Sequence, residues 1–292
     1  MVNVELSPDH IATFQRDGFV IVESMIDPAT VALLTERYRA IFNGEFESGL
    51  IPDEVNWQAD TGASDATRQI CNAWKGDRHI ARVVLDPAIG RACALLGEWP
   101  GARINQDNVF WKPPGGAAVG FHQDAAYEDW VIPSDMISCW IALDDTTVEG
   151  GTVEYVRGSQ TWGEAEMIAE FHAPTDPTAE MRAAARRAGV VAPECVPIVV
   201  PAGSGTFHHG RVWHGSRINR SDHDRRSLVA HCMSSDARYR ANNVGPIYGR
   251  YKRFGDDTMD ESFFPVLWRN DGYRSPFLEA YARGEIAWGG AT

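Results

Sequence analysis

Apolar positions recur along this chain with two different periods, and the change from one to the other divides it. Near the start, Ser7-Pro8-Asp9 predicts a helix, with a serine cap, proline at the first helical position and acid in the first turn; Gly18 marks its stop. Phe19-Val20-Ile21-Val22 then reads as a short buried strand. Asp27-Pro28 opens a second helix in which Val31, Leu34, Tyr38 and Ile41 recur at helical spacing before Gly44. Residues 44–78 are polar and glycine-rich with isolated tryptophans, which predicts a long ordered loop. Residues 79–96 predict helix, broken at Pro87.

From Arg103 the period shortens to that of strands. Residues 104–112, 119–124, 137–143, 152–156, 198–200, 205–209 and 227–233 are short extended runs separated by glycine and proline turns. Residues 164–189 interrupt them with Ala-, Glu- and Arg-rich sequence of helical propensity, which would cover a site or decorate the surface. The expectation is a mainly β fold with flanking helices around a double-stranded β-helix core, that is, a cupin-like jelly roll. One domain is expected over residues 1–292: a mostly helical part to 100, the jelly-roll core over 101–235 with the helical insertion 164–189, and packed loops over 236–292.

Composition narrows the partners. Lys and Arg number 27 against 40 Asp and Glu, a net charge of -13, which disfavours nucleic acid and anionic membranes. The five cysteines are scattered without a C-x-x-C pair, as in a reduced cytoplasmic protein. Residues 1–9 lack the features of a signal peptide, and no apolar run approaches the length of a membrane span. A small-molecule substrate is the expected partner.

The candidate chemistry starts at Phe121-His122-Gln123-Asp124. On an extended segment His122 and Asp124 point to one side, so one strand presents an imidazole and a carboxylate together. His214, far downstream, adds a second imidazole. Two histidines and one carboxylate form the facial triad of non-haem Fe(II) oxygenases, which leaves positions open for a co-substrate and for O2. Zinc, manganese or an unmetallated packing cluster are the alternatives on pattern alone. Eleven residues on stands Arg225, where a strand begins; directed inward, its guanidinium would grip a carboxylate bidentately, while the adjacent Arg226 faces away.

These residues stand among others whose order and spacing are telling: Asp17-Gly18-Phe19-Val20-Ile21-Val22, Gly150-Gly151-Thr152 before Arg157-Gly158-Ser159, and His214-Gly215-Ser216 with Asn219 and Arg225. Together they resemble the phytanoyl-CoA dioxygenase family of Fe(II)/2-oxoglutarate oxygenases, which includes ectoine hydroxylase, over nearly the whole chain. The resemblance implies His122, Asp124 and His214 as catalytic iron ligands and Arg225 as partner of the distal 2-oxoglutarate carboxylate. It also implies Ser216 as a hydroxyl near that carboxylate and Trp140 as a wall of the co-substrate pocket. Asn108 and Gln106, which share a strand face with Lys112, are implied in co-substrate or substrate contacts. Tyr127, Trp130 and His209 are placed to line a substrate pocket. Arg157-Gly158-Ser159-Gln160 departs from the Pro-Gly-Ser-His of many relatives at a structural turn, and the presence of Asp124 disfavours halogenation.

The implied reaction oxidises a small polar metabolite or natural-product intermediate, by hydroxylation first of all, with 2-oxoglutarate converted to succinate and CO2. Cyclisation, desaturation or epimerisation would use the same groups. A reading from another class is a non-redox cupin-like protein that binds a metal or small ligand, and Arg225 separates the two.

Overall fold

The computed structural model describes residues 2–287 except 61, 244 and 246. In chain order its elements are α1 (Pro8–Asp17), β1 (Phe19–Val22), α2 (Pro28–Phe42), β2 (Glu54–Val55), β3 (Arg68–Cys71), α3 (Arg78–Val84), α4 (Pro87–Leu96) and β4 (Gly101–Lys112). Then follow β5 (Val119–His122), β6 (Val131–Ile132), β7 (Met136–Ala142), β8 (Val153–Val156), α5 (Ala179–Arg187), β9 (Cys195–Pro197), β10 (Gly205–His209) and β11 (His214–Ser216). The chain continues through β12 (Arg225–Ser234), β13 (Arg238–Tyr239), β14 (Val266–Arg269) and α6 (Phe277–Arg283).

The first half forms as its caps dictate. The Ser7 hydroxyl accepts from His10 N at 3.2 Å, and Gly18 closes α1 at φ +83°, a left-handed conformation that glycine adopts without a Cβ clash. Asp27 caps α2 by accepting from Thr30 N at 2.8 Å, and Leu34, Tyr38 and Ile41 turn inward. Pro87 separates α3 from α4, with Asp86 capping the second helix.

The strands form a jelly-roll core of two open, antiparallel sheets. The larger runs β1-β10-β7-β12-β4-β3-β2, with β14 also paired to β4; the smaller runs β5-β11-β8-β9. Alternation gives the larger sheet two distinct faces. On β12, Leu228, Ala230 and Cys232 join the helices in the main apolar core, whereas Arg225, Ser227, Val229 and His231 face a cavity. Phe19, Trp140 and Val229 of the larger sheet pack against Val153 and Tyr155 of β8, which joins the sheets at one end of that cavity.

Four segments differ from the sequence expectation. Part of the 44–78 loop is a hairpin, because β3 finds an open edge of β4, with Ile70 opposite Val109. The strand expected over 198–200 lies earlier, as β9: Ile198 N still donates to Val153 O (2.9 Å), but Ile198 O is taken by the hydroxyls of Thr146 and Thr152, and Val200 N donates to Thr146 Oγ1, so side chains interrupt the ladder there. In 164–189 only α5 is helical. Upstream of it, Pro174 and Pro177 oppose helix, and the chain runs along β5, with Gly120 N donating to Phe171 O (2.9 Å) and Phe121 N to Pro177 O (2.7 Å). The terminal stretch 236–292 is more than loops, since it contains β13 on β6, β14 on β4, and α6, whose Tyr281 hydroxyl donates to Trp74 O at 3.0 Å. Among the described residues no helix is long and apolar enough to cross a membrane.

Candidate active site

The two histidines meet because their strands are neighbours. In the β5–β11 ladder His122 stands directly opposite His214, and their ring centroids are 4.3 Å apart. Gly215 permits this approach, since a Cβ there would lie 2.6 Å from the Phe121 ring. Each imidazole is oriented by its own strand: Nδ1 of His122 lies 2.8 Å from Gly120 O and Nδ1 of His214 3.0 Å from Val212 O. Nδ1–H donation to these carbonyls turns both Nε2 atoms inward toward Asp124, and in the neutral rings Nε2 is then the nitrogen free to ligate a metal. Asp124 lies two residues past the end of β5, in a 3-10 turn. Gln123 is still extended, at φ -111° and ψ 129°, so the His-x-Asp alternation survives although the strand has ended.

Asp124 Oδ1 lies 3.4 Å from Nε2 of each histidine, and one ligand atom from each of the three residues falls within 4.8 Å of the others. All three residues are buried. Two neutral imidazoles and one carboxylate, clustered this tightly and facing a cavity, fit a divalent iron with open positions.

The other carboxylate oxygen is held by residues that sequence reading missed. Ser138 Oγ donates to Asp124 Oδ2 at 2.8 Å, and His208 Nε2 lies 3.0 Å from the same atom. His231 Nδ1 stands 2.7 Å from Ser138 Oγ. These three come from β10, β7 and β12 at matched register, His208 opposite Ser138 opposite His231, so the larger sheet presents a row of polar groups to one atom. Burial pushes the His208 imidazole down to about 3, so it is neutral and donates through Nε2 while its Nδ1 meets the Tyr155 hydroxyl at 2.8 Å. Burial opposes charge on Asp124, yet the surrounding imidazoles hold its carboxyl well below the usual range. Asn108 continues the row: its Nδ2 lies 2.9 Å from His231 Nε2, and its Oδ1 accepts from Gln69 and Cys71. The Asn108 amide, expected to touch co-substrate, is thus engaged in this chain while also lining the cavity.

At the other end of the cavity, Arg225 lies inward as alternation predicted, and Arg226 lies outward, clamped on Asp144. Arg225 is buried; it donates to Ser227 Oγ (3.0 Å) and Gly151 O (3.2 Å), and its Nε has no partner. Among the described residues no carboxylate bonds to it, and burial lowers its guanidinium to about 10. Directly opposite on β4 stands Lys112, fully buried, donating to Ser216 Oγ at 2.7 Å and Arg217 O at 2.5 Å. Burial and the nearby Arg225 push the Lys112 amine well below its usual range. Like charges opposed across a ladder are unfavourable, and burying both without an anion more so. The Ser216 hydroxyl lies between the two, 2.7 Å from Lys112 Nζ and 3.5 Å from an Arg225 guanidinium nitrogen. Lys112 was visible in the sequence as a face-mate of Asn108, but nothing distinguished it from a solvated strand-end lysine.

The cavity holds about 280 Å³ and is lined by Gln106, Asn108, Tyr127, Trp130, Trp140, Ser216 and Arg225 of the expected residues. His209 is a correction. It lies on the opposite face of β10, where its Nδ1 accepts from Arg211 N and its ring nears Phe14, and the cavity-facing residue is its neighbour His208. Phe171 and Met167, from the segment beside β5, and Ile247 and Tyr248, from beyond β13, close the walls.

Comparison with known proteins bears on the family and the fold. Residues 14–227 match the model of the phytanoyl-CoA dioxygenase (PhyH) family. A phytanoyl-CoA dioxygenase domain-containing protein 1 of Mus musculus is 29% identical over 268 residues, covering 79% of this chain and 91% of its own. Among solved structures, the non-heme alpha-ketoglutarate-dependent carbocyclase SnoK from nogalamycin biosynthesis superposes with a TM-score of 0.69 at 24% identity, covering 90% of this chain and 97% of its own. The epimerase SnoN, solved with Fe3+, alpha-ketoglutarate and nogalamycin RO, gives 0.67 at 24%, covering 89% and 98%.

Proposed function

The chain belongs to the phytanoyl-CoA dioxygenase family, and from that premise we propose that His122, Asp124 and His214 hold Fe(II), and that Arg225, Lys112 and Ser216 receive the distal carboxylate of 2-oxoglutarate. The observation that carries this reading is the pairing, in one cavity, of the His-Asp-His cluster with the buried Arg225 guanidinium, to which no carboxylate bonds among the described residues, and with Ser216, behind which Lys112 is buried. A non-redox metal- or ligand-binding barrel has no use for the second feature.

Each residue then has a definite task. The strand carbonyls hold the imidazoles in one orientation, and Ser138, His208 and His231 fix the carboxylate, so that His122, Asp124 and His214 would hold the metal when it is bound. Arg225, with Lys112 behind Ser216, would hold the keto acid's distal carboxylate, with Trp140 as a wall of the cavity. Phe171, Tyr248 and Met167 restrict water on the substrate side. When bound, the metal with its keto acid supplies O2 activation coupled to decarboxylation of 2-oxoglutarate to succinate and CO2. The substrate is a small polar metabolite or natural-product intermediate, and its oxidation is a hydroxylation. SnoK and SnoN, a carbocyclase and an epimerase on the same fold, keep ring closure and epimerisation as the second reading. Product mass separates them: hydroxylation adds an oxygen, ring closure removes two hydrogens, and epimerisation changes nothing.

The test needs no knowledge of the substrate. Anaerobic titration of the Fe(II) protein with 2-oxoglutarate is followed by the visible charge-transfer absorption that arises when a keto acid chelates iron. Arg225→Ala removes a charge-assisted bidentate contact, about 2–5 kcal/mol, so affinity falls by at least tenfold, whereas Arg226→Ala leaves it unchanged. A wild-type protein that binds iron and develops no band refutes the oxygenase reading.

A further inference from the structure

The cavity divides by charge. Its co-substrate end contains Arg225, with Lys112 behind Ser216. The other end, beyond the metal cluster, is lined by Glu54, Glu128 and Asp129 and by no lysine or arginine among the described residues. Glu54 and Asp129 are exposed, at the rim, but Glu128 is only 3% exposed. Among the described residues no ion pair reaches Glu128; its Oε2 accepts from Asn105 Nδ2 at 2.6 Å.

That contact is built by an irregularity in the strand. In the β4–β12 ladder His231 pairs with Gln106 but Cys232 pairs with Ile104, so Asn105 is the extra residue of a β-bulge. A bulge re-aims a side chain that regular alternation would send elsewhere. Here it turns the amide onto Glu128 and leaves Asn105 Oδ1 buried without a partner. Burial pushes the Glu128 carboxyl up to about 8; the Asn105 bond opposes this, and Asp124 and Asp129 add to it. A buried acid among acids is costly unless something cationic joins it. The cavity's lining is aromatic as well: Trp130, whose side chain hydrogen-bonds Glu128, lies against Tyr248 with ring centroids 5.1 Å apart, and Tyr127 and Phe171 pack toward the His122 ring. A carboxylate among aromatic faces is the environment that attracts an ammonium group, through charge and through the ring quadrupoles together.

Building on the oxygenase reading above, we propose that the substrate of this site carries a basic nitrogen, bound as the ammonium ion against Glu128. Glu128 is then the specificity-determining residue, and the position of the amine relative to the metal selects which carbon is oxidised. A hydroxyl-bearing neutral substrate would satisfy Glu128 alone and leave the charges of Glu54 and Asp129 unused.

Cyclohexylamine and cyclohexanol, nearly equal in shape, are titrated calorimetrically into the anaerobic Fe(II) protein saturated with 2-oxoglutarate. The amine is expected to bind at least tenfold more tightly to the wild-type protein, and Glu128→Gln to reduce that preference below threefold. Cyclohexanol binding as well as the amine, an amine that fails to bind, or a preference that survives in Glu128→Gln each overturns the assignment. The wild-type comparison is decisive even if the variant does not fold. The keto-acid absorption band keeps the two readings apart: a band without amine preference removes only the ammonium site, whereas absence of the band removes the oxygenase reading beneath it.

Discussion

On the proposed reading Asp124 presents one oxygen to the metal while three residues keep its other oxygen still. Ser138, His208 and His231 come from three adjacent strands of the larger sheet and converge on Oδ2 directly or through one hydroxyl. Partners of this kind typically contribute 10–100-fold to metal affinity. His231→Phe keeps the ring volume but removes the nitrogen that meets Ser138, so Fe(II) affinity measured by anaerobic competition with a chelator should fall by about that factor. His209→Phe, on the far side of β10, should leave it unchanged; equal effects of the two would show that the β12–β7–β10 row does not support the carboxylate. The contrast also marks where residue-level reading ends. His122, Asp124, His214 and Arg225 were legible because each combines a reactive side chain with a motif spacing. His208 and Ser138 have no motif; they matter only through the β10–β7–β12 register, and a one-residue error in strand phase exchanged His208 for His209.

At the scale of elements, strands whose turns carry glycine or proline were legible, and segments shaped by a distant partner were not. β10 and the inward and outward faces of β12 follow from alternation alone. The 164–178 stretch does not, because its course is set by the free edge of β5, which it satisfies with its own backbone. It brings the Phe171 ring to 4.8 Å from the His122 ring, so this covering segment and the metal cluster share a contact. Phe171→Ala should loosen the segment, seen as faster amide hydrogen exchange over 164–178, and weaken Fe(II) binding by less than the loss of a ligand would. Met167→Ala, at a residue 61% exposed, should change neither. Unaltered exchange in Phe171→Ala would mean that the backbone pairing with β5, rather than the aromatic contact, fixes the segment.

For the whole molecule, a net charge of -13 coexists with two basic side chains, Lys112 and Arg225, buried opposite each other, a conflict that the proposed anionic ligand would relieve. Composition revealed the first; only the fold revealed the second, since Lys112 and Arg225 lie on strands that are far apart in sequence and paired by topology. Ligand binding therefore couples to global stability. At one hundred times its dissociation constant, 2-oxoglutarate should stabilise the Fe(II) protein by about 2.7 kcal/mol, read anaerobically as a rise in the denaturation midpoint. Succinate retains a carboxylate for the cation pair but lacks the keto group that chelates, so a smaller rise that does not require iron is expected from it. Lys112→Met removes one cation and keeps the stem, and at the same ligand concentrations both rises should shrink, with 2-oxoglutarate affinity lower by at least tenfold. If Lys112→Met responds to succinate as the wild type does, the lysine serves only to hold Ser216 and the Arg217 carbonyl, and Arg225 receives the carboxylate alone.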